Sequence, residues 1–262
     1  MLAAPFPPPA AMARRYVLRD DQWDRIRDLL PGRVGHIGVT AKDNRLFIEA
    51  VLYRYRAGIP WRDLPERFGD FRMIHLRHSR WSRAGVWQRA FQALSEDADN
   101  EYAMIDSTIV RAHQHSAGAK GEEPQAVGRS RGGLSSKIHS VVDALGNPVA
   151  FHLSAGQASD LEGADVLLPH VSVGALLADR AYDASARVIE PVQRQGTQIV
   201  ILSHPTRKVQ RDYDRVLYKN RHLIENSFAK LKQYRAIATL YDKTACNFLG
   251  AIYWIASVIL LN

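Results

Sequence analysis

The chain has 262 residues, 46% of them hydrophobic and 24% charged, an ordinary composition for one large globular unit or for one with a smaller appendage. A lone cysteine, Cys246, excludes a disulfide framework and points to a reducing, cytoplasmic compartment. The formal charge of +8 makes a polyanion the expected partner, with nucleic acid ahead of an anionic membrane surface.

Residues 1–13 are rich in Ala and Pro, and Arg14 and Arg15 follow that run instead of preceding an apolar one. That order is the reverse of a secretory signal, so the segment reads as a disordered lead, with Met12 as an alternative start. From Asp20 to Leu94 the pattern is helical. Trp23, Ile26, Leu29 and Leu30 recur at helical spacing before Pro31-Gly32. RLFIEAVLYRYRAG repeats the pattern and ends at Gly58. Pro60 and Pro65 punctuate a turn and a short helix, and RMIHLRHSRWSRAGVWQRAFQAL gives one or two helices broken near Gly85. No acid occurs between Phe71 and Ser95, whereas Arg72, Arg77, Arg80, Arg83 and Arg89 recur with Trp81 and Trp87. Cations interleaved with aromatics suit DNA backbone contact by a helix, Arg77, Arg80 and Arg83 foremost. The alternative has the tryptophans in the core and the arginines merely solvated.

Character changes near residue 99. EYAMIDSTIVRAH, SSKIHSVVDA, PVAFHLSAG, GALLADRAY and TQIVILS are short β-branched runs bounded by Gly, Asn and Pro, the second and third joined at Leu145-Gly146-Asn147 as a hairpin. Helical patterns fall between the later strands. A long helix follows from about 214 to 236, and an apolar one from Phe248 to Leu261, which is too short for the roughly 20 residues of a membrane span. Three meandering strands followed by alternating helices and strands make a mixed α/β sheet of ribonuclease-H-like order. The Gly-rich stretch at about 114–136 reads as a mobile loop, whose Arg129, Arg131 and Lys137 are candidate DNA clamps.

Three acids stand out. Asp106 interrupts an apolar strand, AMIDSTIV, where an unpaired carboxylate is costly. Asp179 ends the run GALLA, at the strand terminus where α/β sheets hold ligands. Glu225 belongs to the pattern Tyr218-x2-Arg221-x3-Glu225-x6-Lys232, whose four members fall within an arc of about 60° on a helix. The bland alternatives are an edge-facing Asp106, an Asp179 that caps a turn, and a solvated pair of Arg221 and Glu225 worth a few tenths of a kcal/mol. The chemical alternative gathers three carboxylates around two Mg²⁺ ions, the general device for in-line phosphodiester displacement, with Mn²⁺ able to substitute. Arg221 and Lys232 would then grip phosphate. His113 and His115 share one strand face at i,i+2 spacing, open to a metal, a DNA phosphate or an ordinary surface pair.

Together MIDSTIVRAHQH, GRSRGGLSSKIH, LLADRAYD, YKNRHLIENSFAKLKQY and the earlier DNRLFIEAVLYRYRAGIPWRDLPERFG resemble the insertion-sequence transposases of the IS-five family, in the family's order from about Arg14 onward. The resemblance implies a helical DNA-binding domain over 14–98 and a ribonuclease-H-like catalytic domain over 99–262. It implies Asp106, Asp179 and Glu225 as the metal-binding triad, and Tyr218, Arg221 and Lys232 as the rest of the signature helix. Expected partners are double-stranded DNA, as element ends bearing inverted repeats and as target, and further copies of the chain as a dimer or larger assembly on DNA. Leu240, Cys246 and Ser227 depart from residues common in the family. Two rival readings keep the same core: a stand-alone metal nuclease, and an inactive DNA-binding derivative.

Overall fold

The structure, a computed structural model, describes residues 17–33, 35, 40–116, 126–130 and 132–262; the expected lead over residues 1–13, the middle of the expected loop and Arg131 lie outside them. Four helices open the fold: α1 (Asp20–Ile26), α2 (Asn44–Ala57), α3 (Phe71–Arg83) and α4 (Val86–Leu94). Local chemistry sets their ends. Asp43 caps α2 by accepting from the Leu46 amide at 2.8 Å, and Gly58 closes it in the left-handed conformation that glycine adopts without strain. Short 3-10 turns follow Pro60 and Pro65, and Gly85 separates α3 from α4.

The sheet runs β1 (Tyr102–Ala112), β2 (Gly128–Ser130), β3 (Gly133–Val142), β4 (Pro148–Ala155), β5 (Ala175–Ala178), β6 (Gln198–Ile201) and β7 (Thr239–Leu240). Their order is β2-β3-β1-β5-β6, with β4 on β3 and β7 on β1. The β1–β3 and β3–β4 pairs are antiparallel, whereas β1–β5 and β5–β6 are parallel. This is the mixed sheet the residue pattern predicts. Two short strands, β2 and β7, escape prediction because three and two residues carry no measurable periodicity. The last part of the expected loop is therefore strand, in β2 and the start of β3.

Helices cover both faces. On one side lie α5 (Asp160–Leu167) and α6 (Glu190–Arg194), the latter entered through a π-helical turn. On the other lie α7 (Arg215–Tyr218), α8 (His222–Lys232), α9 (Arg235–Ala238) and α10 (Ala245–Leu260). The expected long helix is thus a chain of three, with a 3-10 turn at Lys219–Arg221 between the first two. Strand alternation sorts the core accordingly. Tyr102, Met104 and Val110 of β1 face the α8–α10 side, and Ala103 and Ile105 face α5 and α6.

No seam separates the helical unit from the sheet. Helix α10 packs on α3 and α4 as well as on β4, and Trp254 meets Trp87 at 5.3 Å between ring centroids. Trp81 and Trp87 are core residues, as the second of the two readings had it. A polar knot crosses the same junction. Tyr55 donates to Asp242 at 3.0 Å, Arg54 reaches that carboxylate at 3.4 Å, and His78 Nε2 lies 3.3 Å from the Tyr55 hydroxyl. All four are buried. Since the Tyr55 proton goes to Asp242, His78 must donate from Nε2, which makes it the neutral Nε2–H tautomer.

Burial pulls His78 down to about 4 despite Asp242 nearby, and burial again pulls His139 down to about 4. A histidine depressed on folding binds its proton more readily in the unfolded chain, so stability falls with acidification through the window from about 6.5 to about 4. Each contributes up to about 3 kcal/mol across that window. Thermal melts at pH 7 and pH 4.5 are expected to show this loss, and His78→Gln should shrink it.

Candidate active site

Two aspartates lie just past the parallel pairing of β1 with β5, Asp106 within β1 and Asp179 at the end of β5. β1 and β5 pair with Met104 opposite Leu177, and continuing that register by two residues sets Asp106 beside Asp179. Met104 and Leu177 both point to the α8 side, so alternation turns both aspartates toward that helix. Asp179 also caps the turn Arg180–Tyr182, accepting from the Ala181 amide at 2.8 Å, a role that occupies one of its two oxygens.

Helix α8 docks through Ile224, Phe228 and Leu231, all buried, which leaves its signature residues along one edge. Arg221 reaches Asp106 with Nη1 at 2.9 Å and Glu225 with Nη2 at 2.5 Å, so one guanidinium spans both acids. Lys232 donates to Thr108 Oγ1 at 2.6 Å, two positions along the same strand face as Asp106. Tyr218 packs edge-on against Tyr213. The Asp106 side chain is 20% exposed and that of Glu225 57%, a half-sheltered acid facing an open one.

The electrostatics fit an anionic crevice. Burial raises the Asp106 carboxyl above its ordinary value, the Ser107 amide and Arg221 oppose that, and Asp179 and Asp160 add to it. For Arg221, burial works against the charge, but Asp106 and Glu225 outweigh it and raise the guanidinium. Burial lowers Lys232. Tyr182 is fully buried, its hydroxyl has no hydrogen-bond partner, and after burial the negative charges of Asp106, Asp160 and Asp179 hold its proton on.

Among the described residues no three His, Cys, Asp or Glu side chains converge closely enough to hold a metal as they stand. Arg221 is the reason for Glu225: its guanidinium occupies the space between that acid and Asp106. The donor set is nonetheless all oxygen, as a hard divalent cation requires.

The other candidates separate. Lys137 is not in a loop: it lies on β3, 8% exposed, bonded to Asp160 at 2.9 Å and to the Ala158 carbonyl at 2.6 Å, and is not free to clamp DNA. Arg77 is stacked over Phe47 and Trp81 and donates to Asn44, so it serves the core of the helical unit. Arg80 and Arg83 are exposed on α3, and Arg129 is exposed on β2. His113 and His115 pack ring against ring, with His113 stacked on Tyr241 and its Nδ1 accepting from the His115 amide, so no metal pair is formed. Residue patterns missed Asp160, Ser107 and Tyr182. Asp160 reads as an ordinary acid in the first turn of a helix, and only the fold brings it to β1.

Known proteins resemble this chain over both its helical and its sheet-bearing parts. Residues 18–91 match the family described as "Putative transposase of IS4/5 family", and residues 99–260 match the family described as "Transposase DDE domain". An uncharacterized protein y4sN of Sinorhizobium fredii strain NGR234 is 52% identical over 103 residues, 39% of this chain and 82% of that one. A "Putative transposase for insertion sequence element IS6501" of Brucella ovis is 36% identical over 130 residues, 49% of this chain and the whole of that one. The 16.2 kDa protein of insertion element IS402 of Burkholderia cepacia is 30% identical over 108 residues, 37% of this chain and 74% of that one. With a ribonuclease-H-type mixed sheet and a family match over more than half its length, the chain belongs to the DDE transposases of insertion sequences.

Proposed function

We propose that the protein cuts DNA at the ends of its insertion element and joins the released ends to target DNA, with Asp106, Asp179 and Glu225 as the acids that hold two Mg²⁺ ions. The observation that carries this is the juxtaposition of Asp106 within β1 and Asp179 just past the end of β5, with Glu225 tied to Asp106 through one arginine. Divalent ions in such a site supply an activated oxygen nucleophile and stabilise the leaving oxygen of an in-line displacement. Asp106, sheltered by β1 and α8, fixes one side of the crevice, and Glu225, largely exposed, closes it from the helix. Arg221 offers a planar fork that matches phosphate oxygens as well as carboxylates. Lys232, held by Thr108, adds a point charge farther along the same edge.

DNA would approach across the exposed Arg80 and Arg83 of α3 and Arg129 of β2, in keeping with the net charge of +8. Such phosphate contacts position the duplex without reading its sequence. Residues 14–98 would form the DNA-binding domain and 99–262 the catalytic one, although both build on one core. Holding two element ends together requires at least a dimer on DNA.

The test uses a supercoiled plasmid carrying the element's inverted repeats. Mg²⁺ or Mn²⁺ should support release of the ends and their joining to a second DNA, and a chelator should abolish both. Cleavage without any joined product would favour the stand-alone nuclease. Tight DNA binding without cleavage under any divalent ion would favour the inactive derivative.

A further inference from the structure

Asp106 does not stand alone on its strand. The next residue, Ser107, donates its amide to Asp106 Oδ1 at 2.7 Å, while its side chain points to the opposite face of the sheet. There the Ser107 hydroxyl donates to Asp160 Oδ1 at 2.5 Å. The same carboxylate accepts from Lys137 on β3 at 2.9 Å, and the ammonium also donates to the Ala158 carbonyl at 2.6 Å. Asp160 opens α5, directly after the Ser159 cap. A buried lysine paired to a carboxylate is thereby anchored to β1 and β3, behind the site and outside the crevice itself.

We propose that Ser107, Asp160 and Lys137 form a positioning bridge that orients Asp106 for metal binding from the far side of the sheet. The inference rests on the assignment of Asp106 as a metal ligand. The physical argument is that a ligating carboxylate gains affinity when an outer hydrogen bond fixes its rotamer, because less freedom is lost on binding. The Ser107 peptide supplies that bond, and the Ser107 side chain locks the peptide through Asp160. Burial alone would raise the Asp160 carboxyl, but the bonds from Ser107 and Lys137 outweigh it and hold it below its ordinary value. The acceptor for the Ser107 hydroxyl therefore stays ionised and strong. Lys137 is tied down on three sides: by its carboxylate, by a backbone carbonyl and by the packing of β3 against α5.

Ser107 follows Ala103 and Ile105 on the α5 face of β1, opposite His139 of β3, and its hydroxyl there is bonded to Asp160.

The test is Mn²⁺ affinity of the full-length protein without DNA, by calorimetric titration, with folding checked by circular dichroism. Ser107→Ala and Asp160→Asn are each expected to weaken Mn²⁺ binding about tenfold. Ser107→Thr, which keeps the hydroxyl on a strand-compatible side chain, should bind like the parent. Ser107→Ala removes one oxygen and guards the test against misfolding of the Asp160 variant. Asp106→Asn serves as the reference and should lose most binding. If it does, but Ser107→Ala and folded Asp160→Asn bind Mn²⁺ like the parent, the bridge is refuted and the ligand assignment survives. Equal weakening by Ser107→Thr and Ser107→Ala also refutes it, since the hydroxyl would then be irrelevant. Parent-like binding by Asp106→Asn removes the assignment, and the bridge with it.

Discussion

Asp106→Asn is expected to lower strand cleavage on the order of a thousandfold while leaving DNA affinity within about twofold of the parent. Several kcal/mol of transition-state charge stabilisation pass through a two-metal site, and each 1.36 kcal/mol is a factor of ten in rate. Asparagine keeps the shape of the side chain and an acceptor for the Ser107 amide. Arg221 keeps its bond to Glu225, so α8 stays docked. The duplex contacts proposed for the exposed arginines of α3 and β2 are untouched by this change. The fold should not suffer. Burial, with Asp179 and Asp160 beside it, raises the Asp106 carboxyl, so removing its charge relieves repulsion and the variant should melt at or above the parent temperature. Plasmid cleavage, gel-shift and thermal melts measure the three quantities. Undiminished cleavage would sink the assignment of Asp106.

Asp242→Ala has the largest expected effect on stability. It leaves Arg54, 3% exposed, with its charge buried and its carboxylate gone, and it removes the acceptor of the Tyr55 hydroxyl. Breaking a buried pair from one side costs about 3–5 kcal/mol, which for a chain of this size lowers the melting temperature by roughly 10 °C. The double change Arg54→Met with Asp242→Leu should recover most of that loss, because no uncompensated charge remains. A single variant melting within about 2 °C of the parent would show that Arg54 finds water or another partner.

Most of the sheet was legible because β-branched alternation and Gly-Asn punctuation are local signals. Five strands, the break at Gly85 and the stop at Gly58 all follow from neighbours in sequence. Asp106 was legible for a different reason: an acid inside an apolar strand contradicts its surroundings. What stayed hidden depends on pairing across the fold. Lys137 looked like a loop cation because Gly132, Gly133 and two serines precede it, and only the partner Asp160, on a helix more than twenty residues later, turns it into a buried residue. Arg77 looked like its neighbours Arg80 and Arg83, but helical rotation sets it over Phe47 and Trp81. The guanidinium link between Asp106 and Glu225 needs both the register of β1 and the rotation of α8, which no spacing specifies.

Helix α10 wedges between the first four helices and the sheet, and it is the last described element that ribosomes make. Trp87 therefore waits, while the whole sheet is made, for the ring that will cover it. A product cut short before residue 245 would lack a wall of its own interior and would be open to proteolysis. The interior of the first four helices is thus closed only after the whole sheet has been made.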